Sequence, residues 1–169
     1  MLRADQINVV LDALHGALRE KIPHLKSPVL GGMELVKTDG TYGSVAFGTL
    51  LAGDVDGKIT VILEWETALK LATKVTKGKL DHFGDEAKGA LEEALQRANE
   101  IMTTRFSEMG LKVDALQLPT LIDTNVLTAL HKDRGVLKVQ INTLWEPILL
   151  FFSFLPDRHL PKPRSSGAK

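Results

Sequence analysis

Catalysis and ligand binding need side chains that donate, accept, attack or ligate, and few of those here stand at usable spacings. The 169-residue chain has no cysteine, which excludes a thiolate nucleophile, a disulfide framework and any Cys-based zinc or iron–sulfur site. Its histidines (His15, His24, His82, His131 and His159) are scattered, with no pair three or four residues apart as a helical metal site requires. His15 lies beside the apolar stripe of a predicted first helix and reads as a helix-flank residue. Asp54-Val55-Asp56-Gly57 opens like a calcium loop but lacks the closing acidic residue, and a hairpin turn suits it better. The phosphate-binding, dinucleotide, zinc-protease and nucleophile-elbow motifs are absent. What remains is a pair, Glu93 and Gln96, three residues apart on the longest predicted helix.

That helix runs from about Gly84 to Met109 and ends before Gly110. At about 100° per residue, Ala87, Leu91, Ala94, Ala98, Met102 and Met109 form one apolar stripe, with Leu95 and Ile101 at its margins. Arg105 falls inside the stripe, as a snorkelling side chain or where the helix outruns the core. Glu93, Gln96, Glu100 and Gly89 lie opposite, so Glu93 and Gln96 are neighbours on the solvent face. From spacing alone this is a solvated helix face.

The remaining elements must hold that helix in place. Apolar residues at Ile7, Val10, Leu11, Leu14, Leu18 and Ile22 predict a helix over residues 4 to 22, ended by Pro23. Strands are expected at Met33–Thr38, Ser44–Leu51 and Lys58–Glu64, with turns at Asp39-Gly40 and Gly53–Gly57. Ala68, Leu69, Leu71, Ala72 and Val75 mark a short helix, closed by Lys77-Gly78 as a glycine cap. Leu111 to Ile122 contains an extended segment up to Pro119, and 123–134 reads as a polar loop with some helical character. Two last strands, Val136–Thr143 and Ile148–Leu155, flank Leu144-Trp145-Glu146-Pro147. Runs of strands between runs of helices predict an α+β fold, a mostly antiparallel sheet with the first and the long helix packed on one face. One domain, 1–156, and a disordered proline- and basic-rich tail, 157–169, are expected.

Composition agrees with this reading. The chain is 44% hydrophobic and 25% charged, as in a globular protein. Twenty-one basic residues balance 21 acidic ones, so the broad basic footprint of a nucleic-acid binder is absent. The longest apolar run, Ile148 to Phe152, is far short of the ~20 residues that span a membrane. Met1-Leu2-Arg3-Ala4-Asp5-Gln6 lacks the layout of a signal peptide, so a cytoplasmic protein is expected.

A resemblance gives the Glu93/Gln96 pair a meaning. Gly48-Thr49-Leu50-Leu51-Ala52-Gly53-Asp54-Val55-Asp56-Gly57-Lys58-Ile59-Thr60-Val61 resembles the central hairpin of the bacterial CheX/CheC/FliY chemotaxis phosphatase family, and Glu66–Ala72 resembles its next helix. That family then shows a long helix with a glutamate and, three residues later, an asparagine, a glycine at the helix end and a proline in the next strand. Ala90-Leu91-Glu92-Glu93-Ala94-Leu95-Gln96, Gly110–Asp114 and Leu118-Pro119-Thr120 fall on these features. The likeness spans roughly residues 5 to 155, with one copy of the motif as in CheX-like members.

The resemblance implies a CheC-like fold and a phosphatase for the aspartyl phosphate of a CheY-like response regulator. Glu93 takes the glutamate position, which pairs with a lysine of the regulator. Gln96 takes the asparagine position, whose carboxamide orients the attacking water. Glutamine has the same carboxamide on one more methylene, as the water-orienting glutamine of small GTPases shows. The added reach of about 1.5 Å can misplace the water, and a 1 Å error can cost about 100-fold. A second register sets Gln96 and Asn99 on the motif, with the helix three residues too short before Gly110. In either register Glu92 and Glu100 are expected to be solvated bystanders. No cofactor is implied for this chain, since the Mg²⁺ belongs to the phosphorylated receiver. The alternative implication is a binding module that keeps the fold and partner and has lost the chemistry. CheX-like proteins pair through strands, so a homodimer is expected, with Ile148–Phe154 as its strand or, alternatively, as a buried central strand.

Overall fold

The computed structural model describes residues 4–22, 29–36, 45–122, 136–142 and 148–153. Helix α1 (Ala4–Lys21) is followed by strands β1 (Val29–Val36), β2 (Val45–Gly53) and β3 (Gly57–Leu63). Helices α2 (Trp65–Thr76) and α3 (Asp85–Glu108) come next, then strands β4 (Val113–Gln117), β5 (Leu121–Ile122), β6 (Val136–Asn142) and β7 (Ile148–Ser153). The strands form one sheet in the order β1-β6-β7-β3-β2-β4, with β5 also on β2, and every pairing is antiparallel. α1 and α2 pack on α3, and α3 packs on β4 and β2. This is the expected α+β architecture.

The β2–β3 hairpin positions the end of α3 through its turn. Gly53 has φ 122°, and a Cβ there would collide with the Lys112 carbonyl oxygen, so only glycine fits this close approach. Asp54 accepts the Lys112 N–H at 2.7 Å while its own N–H donates to the Lys112 carbonyl at 2.8 Å. Asp56 accepts the Gly53 N–H at 3.3 Å. The Asp-rich segment is a turn lock, as its composition suggested.

The core lies between the sheet and the helix layer. Ile7, Val10 and Ala13 of α1, Phe47 and Leu51 of β2, Ile59 and Leu63 of β3, and Leu91, Met102 and Phe106 of α3 are all buried. Phe106, fully buried, fills the place that periodicity gave to Arg105, and truncating such a ring costs about 3–5 kcal/mol. Arg105 is exposed, and Met109 is the C-cap of α3 and 39% exposed rather than part of its stripe. α1 and α3 face each other with small residues: Ala13, Ala17, Ala94 and Ala98 are buried, while Leu11, Leu14, Leu18 and Ile22 are only half-buried. Small side chains let two helix axes approach closely.

The extended segment expected up to Pro119 is β4; Pro119 has no N–H to continue the ladder, and β5 follows it. Two expectations need correction. The residue that closes α2 in the left-handed region is Lys77, φ 57°, not Gly78. β7 lies between β6 and β3 and is paired along both sides, so it is a central strand with no edge to offer a second copy. The 123–134 loop and the 157–169 tail lie outside the described residues. No helix among the described residues is long and apolar enough to cross a membrane.

Candidate functional site

The site is built on α3 by its two faces. Inward-facing alanines and leucines seat the helix on β2 and β4, and this fixes which residues are left outside. Glu93 and Gln96 are both exposed, one turn apart, and neither side chain has a hydrogen bond to another described residue. Together with Gly89, Glu92, Gln117, Leu118 and Pro119 they line an open groove of about 570 Å³. The groove is thus bounded by α3 on one side and by the end of β4 with its connection to β5 on the other. Its polar groups are two carboxylates and two carboxamides, a set that can orient water and attract a basic partner but not bind a phosphate by charge.

A smaller groove of about 300 Å³ adjoins it, again lined by Glu93 and Gln96 and closed by Ala17, Glu20 and Lys21 of α1 with Arg97 and Glu100. The one arginine here is already engaged. Arg97 grips Glu20 two-fold, Nε to Oε1 at 2.9 Å and Nη2 to Oε2 at 2.9 Å, and donates through Nη1 to Glu100 at 3.2 Å. The hydrogen-bonded Arg97 guanidinium holds the Glu20 carboxyl below its ordinary value, and Glu20 and Glu100 in turn raise the guanidinium still further. This clasp joins the C-terminal end of α1 to the middle of α3, directly beside Gln96.

Asn99 is elsewhere. It is 6% exposed, and its Oδ1 accepts the Thr49 hydroxyl at 3.0 Å in the buried space between α3 and β2. The Glu93/Gln96 register therefore puts both members on the open groove, and the Gln96/Asn99 register puts one of them in the core. Glu92 is not a solvated bystander. It is half-buried, its carboxylate accepts the Thr120 hydroxyl, and its backbone carbonyl accepts the Gln117 side-chain Nε2 at 3.2 Å. Glu100 is exposed and bound to Arg97. His15 is half-buried, with its Nε2 buried and unpartnered. Among the described residues no cluster of acidic and histidine side chains could hold a metal ion.

One groove residue was not singled out in sequence, Gln117. The signal for Gln117 is the pleat: it stands opposite Thr49 in the β2–β4 register, and directly opposed residues share a face. Since Thr49 faces α3, Gln117 does too.

An antiparallel sheet covered on one side by a short and two longer helices, with a polar groove beside the longest, is the fold of a known class of chemotaxis proteins. The chain has the CheC-like fold. A CheC-like superfamily protein from Shewanella sp. PV-4 superposes with a TM-score of 0.75 at 17% identity, covering 92% of this chain and 100% of that one. Chemotaxis protein CheX from Desulfovibrio desulfuricans gives 0.69 at 14% identity over 89% of this chain and 99% of that one. The Borrelia burgdorferi CheX chain solved as a CheX–CheY–BeF3–Mg²⁺ complex gives 0.61 at 24% identity over 90% and 98%. No protein-family model and no curated protein matches the sequence.

Proposed function

We propose that this chain is a CheX-like phosphatase acting on the aspartyl phosphate of a CheY-like receiver domain. The observation that carries the reading is that Glu93 and Gln96 stand exposed, side by side and without a hydrogen bond to another described residue, on a groove whose opposite wall holds Leu118 and Pro119. These are the residues on which the sequence resemblance rests. A CheX of the same fold has been solved bound to CheY, which supports a receiver as the partner.

In this reading Glu93 forms an ion pair with a lysine of the receiver and sets α3 against it. Gln96 reaches to the phosphoryl group and accepts a hydrogen bond from the water at Oε1, orienting the water oxygen for in-line attack on phosphorus; the water's protons stay with the phosphate. The aspartate leaves as carboxylate and inorganic phosphate departs. Positioning supplies most of the rate in phosphoryl transfer, so a single carboxamide suffices. The Mg²⁺ is the receiver's. Such a partner implies a cytoplasmic chain, and among the described strands the outermost ones, candidates for strand pairing with a second copy, are β4 and β1 rather than β7.

The extra methylene of Gln96 favours one competing reading, a module that binds the receiver without hydrolysing its phosphate. Both are decided by adding the protein to a phosphorylated receiver from the same organism and following binding and phosphate release in parallel. The phosphatase reading expects binding with faster release, and Glu93→Ala weakening the binding. Binding with unchanged release selects the module. Neither binding nor release rejects both.

A further inference from the structure

The groove's second wall is held by the sheet on one side and by one residue of the first wall, Glu92, on the other. Residues 118–120 bridge the last β4 pair, Thr49 with Gln117, and the β5 pair, Ala46 with Leu121. On the sheet side this bridge is fixed by the Leu118 N–H donating to the Gly48 carbonyl at 2.9 Å. Leu118 also covers Gly48, where a Cβ would come within 3.2 Å of Leu118 Cδ1. On the helix side, among the described residues, the hydrogen bonds go to Glu92: the Gln117 amide donates to its backbone carbonyl at 3.2 Å and the Thr120 hydroxyl to its carboxylate. Glu92 lies four residues before Gln96, on the same ridge of α3.

We infer that Glu92, through Thr120 and Gln117, is a positioning residue that fixes Leu118 and Pro119 at a set distance from α3 and thereby sets the space in which the Gln96 carboxamide works. This rests on Gln96 being the working group of the site. The physical reason is reach. A glutamine has one more rotatable bond than an asparagine, so its carboxamide is held only if the surrounding walls limit it. Leu118 ties that wall to the sheet through Gly48 and Gln117 ties it to the Glu92 backbone, so the Thr120 bond to the Glu92 carboxylate is the side-chain link that sets its distance from α3. Glu92 reaches neither the water nor the partner in this account; it acts through the wall.

The test compares Glu92→Ala and Thr120→Val with the conservative variants Glu92→Gln, which can still accept the Thr120 hydroxyl, and Thr120→Ser, which can still donate. The readouts are steady-state phosphate release from a Mg²⁺-loaded, acetyl-phosphate-charged receiver, the melting temperature, and the NMR signals of the Gln96 and Gln117 side-chain amides. The expected result is a fall in kcat of between about 10- and 100-fold in Glu92→Ala and Thr120→Val, with KM and melting temperature near wild type. Glu92→Gln and Thr120→Ser should recover most of the rate, and the Gln96 amide signals should move only in the disrupted pair. An unchanged kcat in both disrupted variants overturns the inference, as does a loss of rate that only tracks a loss of thermal stability. If the wild-type protein releases no receiver phosphate, the phosphatase reading fails and the amide signals alone decide the clamp. Gln96 signals displaced in Thr120→Val and restored in Thr120→Ser uphold it, and signals coincident with wild type in both refute it.

Discussion

Two carboxamides sit three residues apart on α3 and have opposite fates. Asn99 turns inward, is buried, and accepts a hydrogen bond from Thr49 of β2. Gln96 turns outward, is exposed, and has no partner among the described residues. The functional group is the same, carried on one methylene more in Gln96; what decides its fate is the angle about the helix axis, which differs by about 60°. A buried carboxamide must be satisfied by the fold, because an unmade bond there costs more than a made one returns. An exposed one is satisfied by water and stays available to a ligand. Availability, rather than residue type, separates the candidate working group from a structural one.

That contrast can be broken in several places. Asn99→Ala should lower stability by about 1–3 kcal/mol, since the Thr49 hydroxyl, 1% exposed, loses its acceptor. Gln96→Ala, measured in the same urea titration, should stay within about 0.5 kcal/mol of wild type. Equal losses would erase the distinction. The contrast sharpens in the double variant Asn99→Leu, Thr49→Val. Removing both polar partners should recover about 1 kcal/mol or more of the sum of the single losses, seen as a non-additive cycle in denaturation. On the outer face, Gly89→Ala should raise stability by about 0.5–1 kcal/mol, because a Cβ there meets nothing within 4 Å and helix-interior glycine is costly.

The smallest effect concerns the Glu20–Arg97 clasp, which is exposed to solvent. Glu20 has its pKa lowered from the ordinary 4.5 in the folded state, chiefly by the Arg97 hydrogen bonds. Its contribution is therefore present above that ordinary value and lost as pH falls through it toward the lowered folded value. The melting temperatures of wild type and Glu20→Gln should accordingly differ slightly at neutral pH and converge in acid. Divergence on acidification would contradict this sign.

Much of the scaffold was legible from periodicity. The first helix, the β2–β3 hairpin with its Asp-Gly turn and the long helix are each set by local pattern, and all lie where the spacing puts them. The misses are those that local pattern does not encode. Phe106 outranks Arg105 because α3 is buried by three neighbours, α1, α2 and the sheet, rather than along a single stripe. Asn99 finds a partner 50 residues away, which no window on the helix contains. β7 reads in sequence as either an edge or a centre, and only the pairing of β3 and β6 on its two sides decides. Glu93 and Gln96 were legible as exposed neighbours. Their groove was not, because its far wall comes from Gln117 to Pro119, set by strand register and by the bonds to Glu92.

The most direct test of the central claim is the decay of aspartyl phosphate on a purified receiver domain in the presence of wild type, Gln96→Ala, Gln96→Asn and Asn99→Ala. The wild type should accelerate decay, Gln96→Ala should lose that acceleration by about 100-fold, Gln96→Asn should retain it, and Asn99→Ala should still accelerate while being less stable. Acceleration that survives Gln96→Ala but disappears in a folded Asn99→Ala protein would contradict that claim and place the working carboxamide at the buried position.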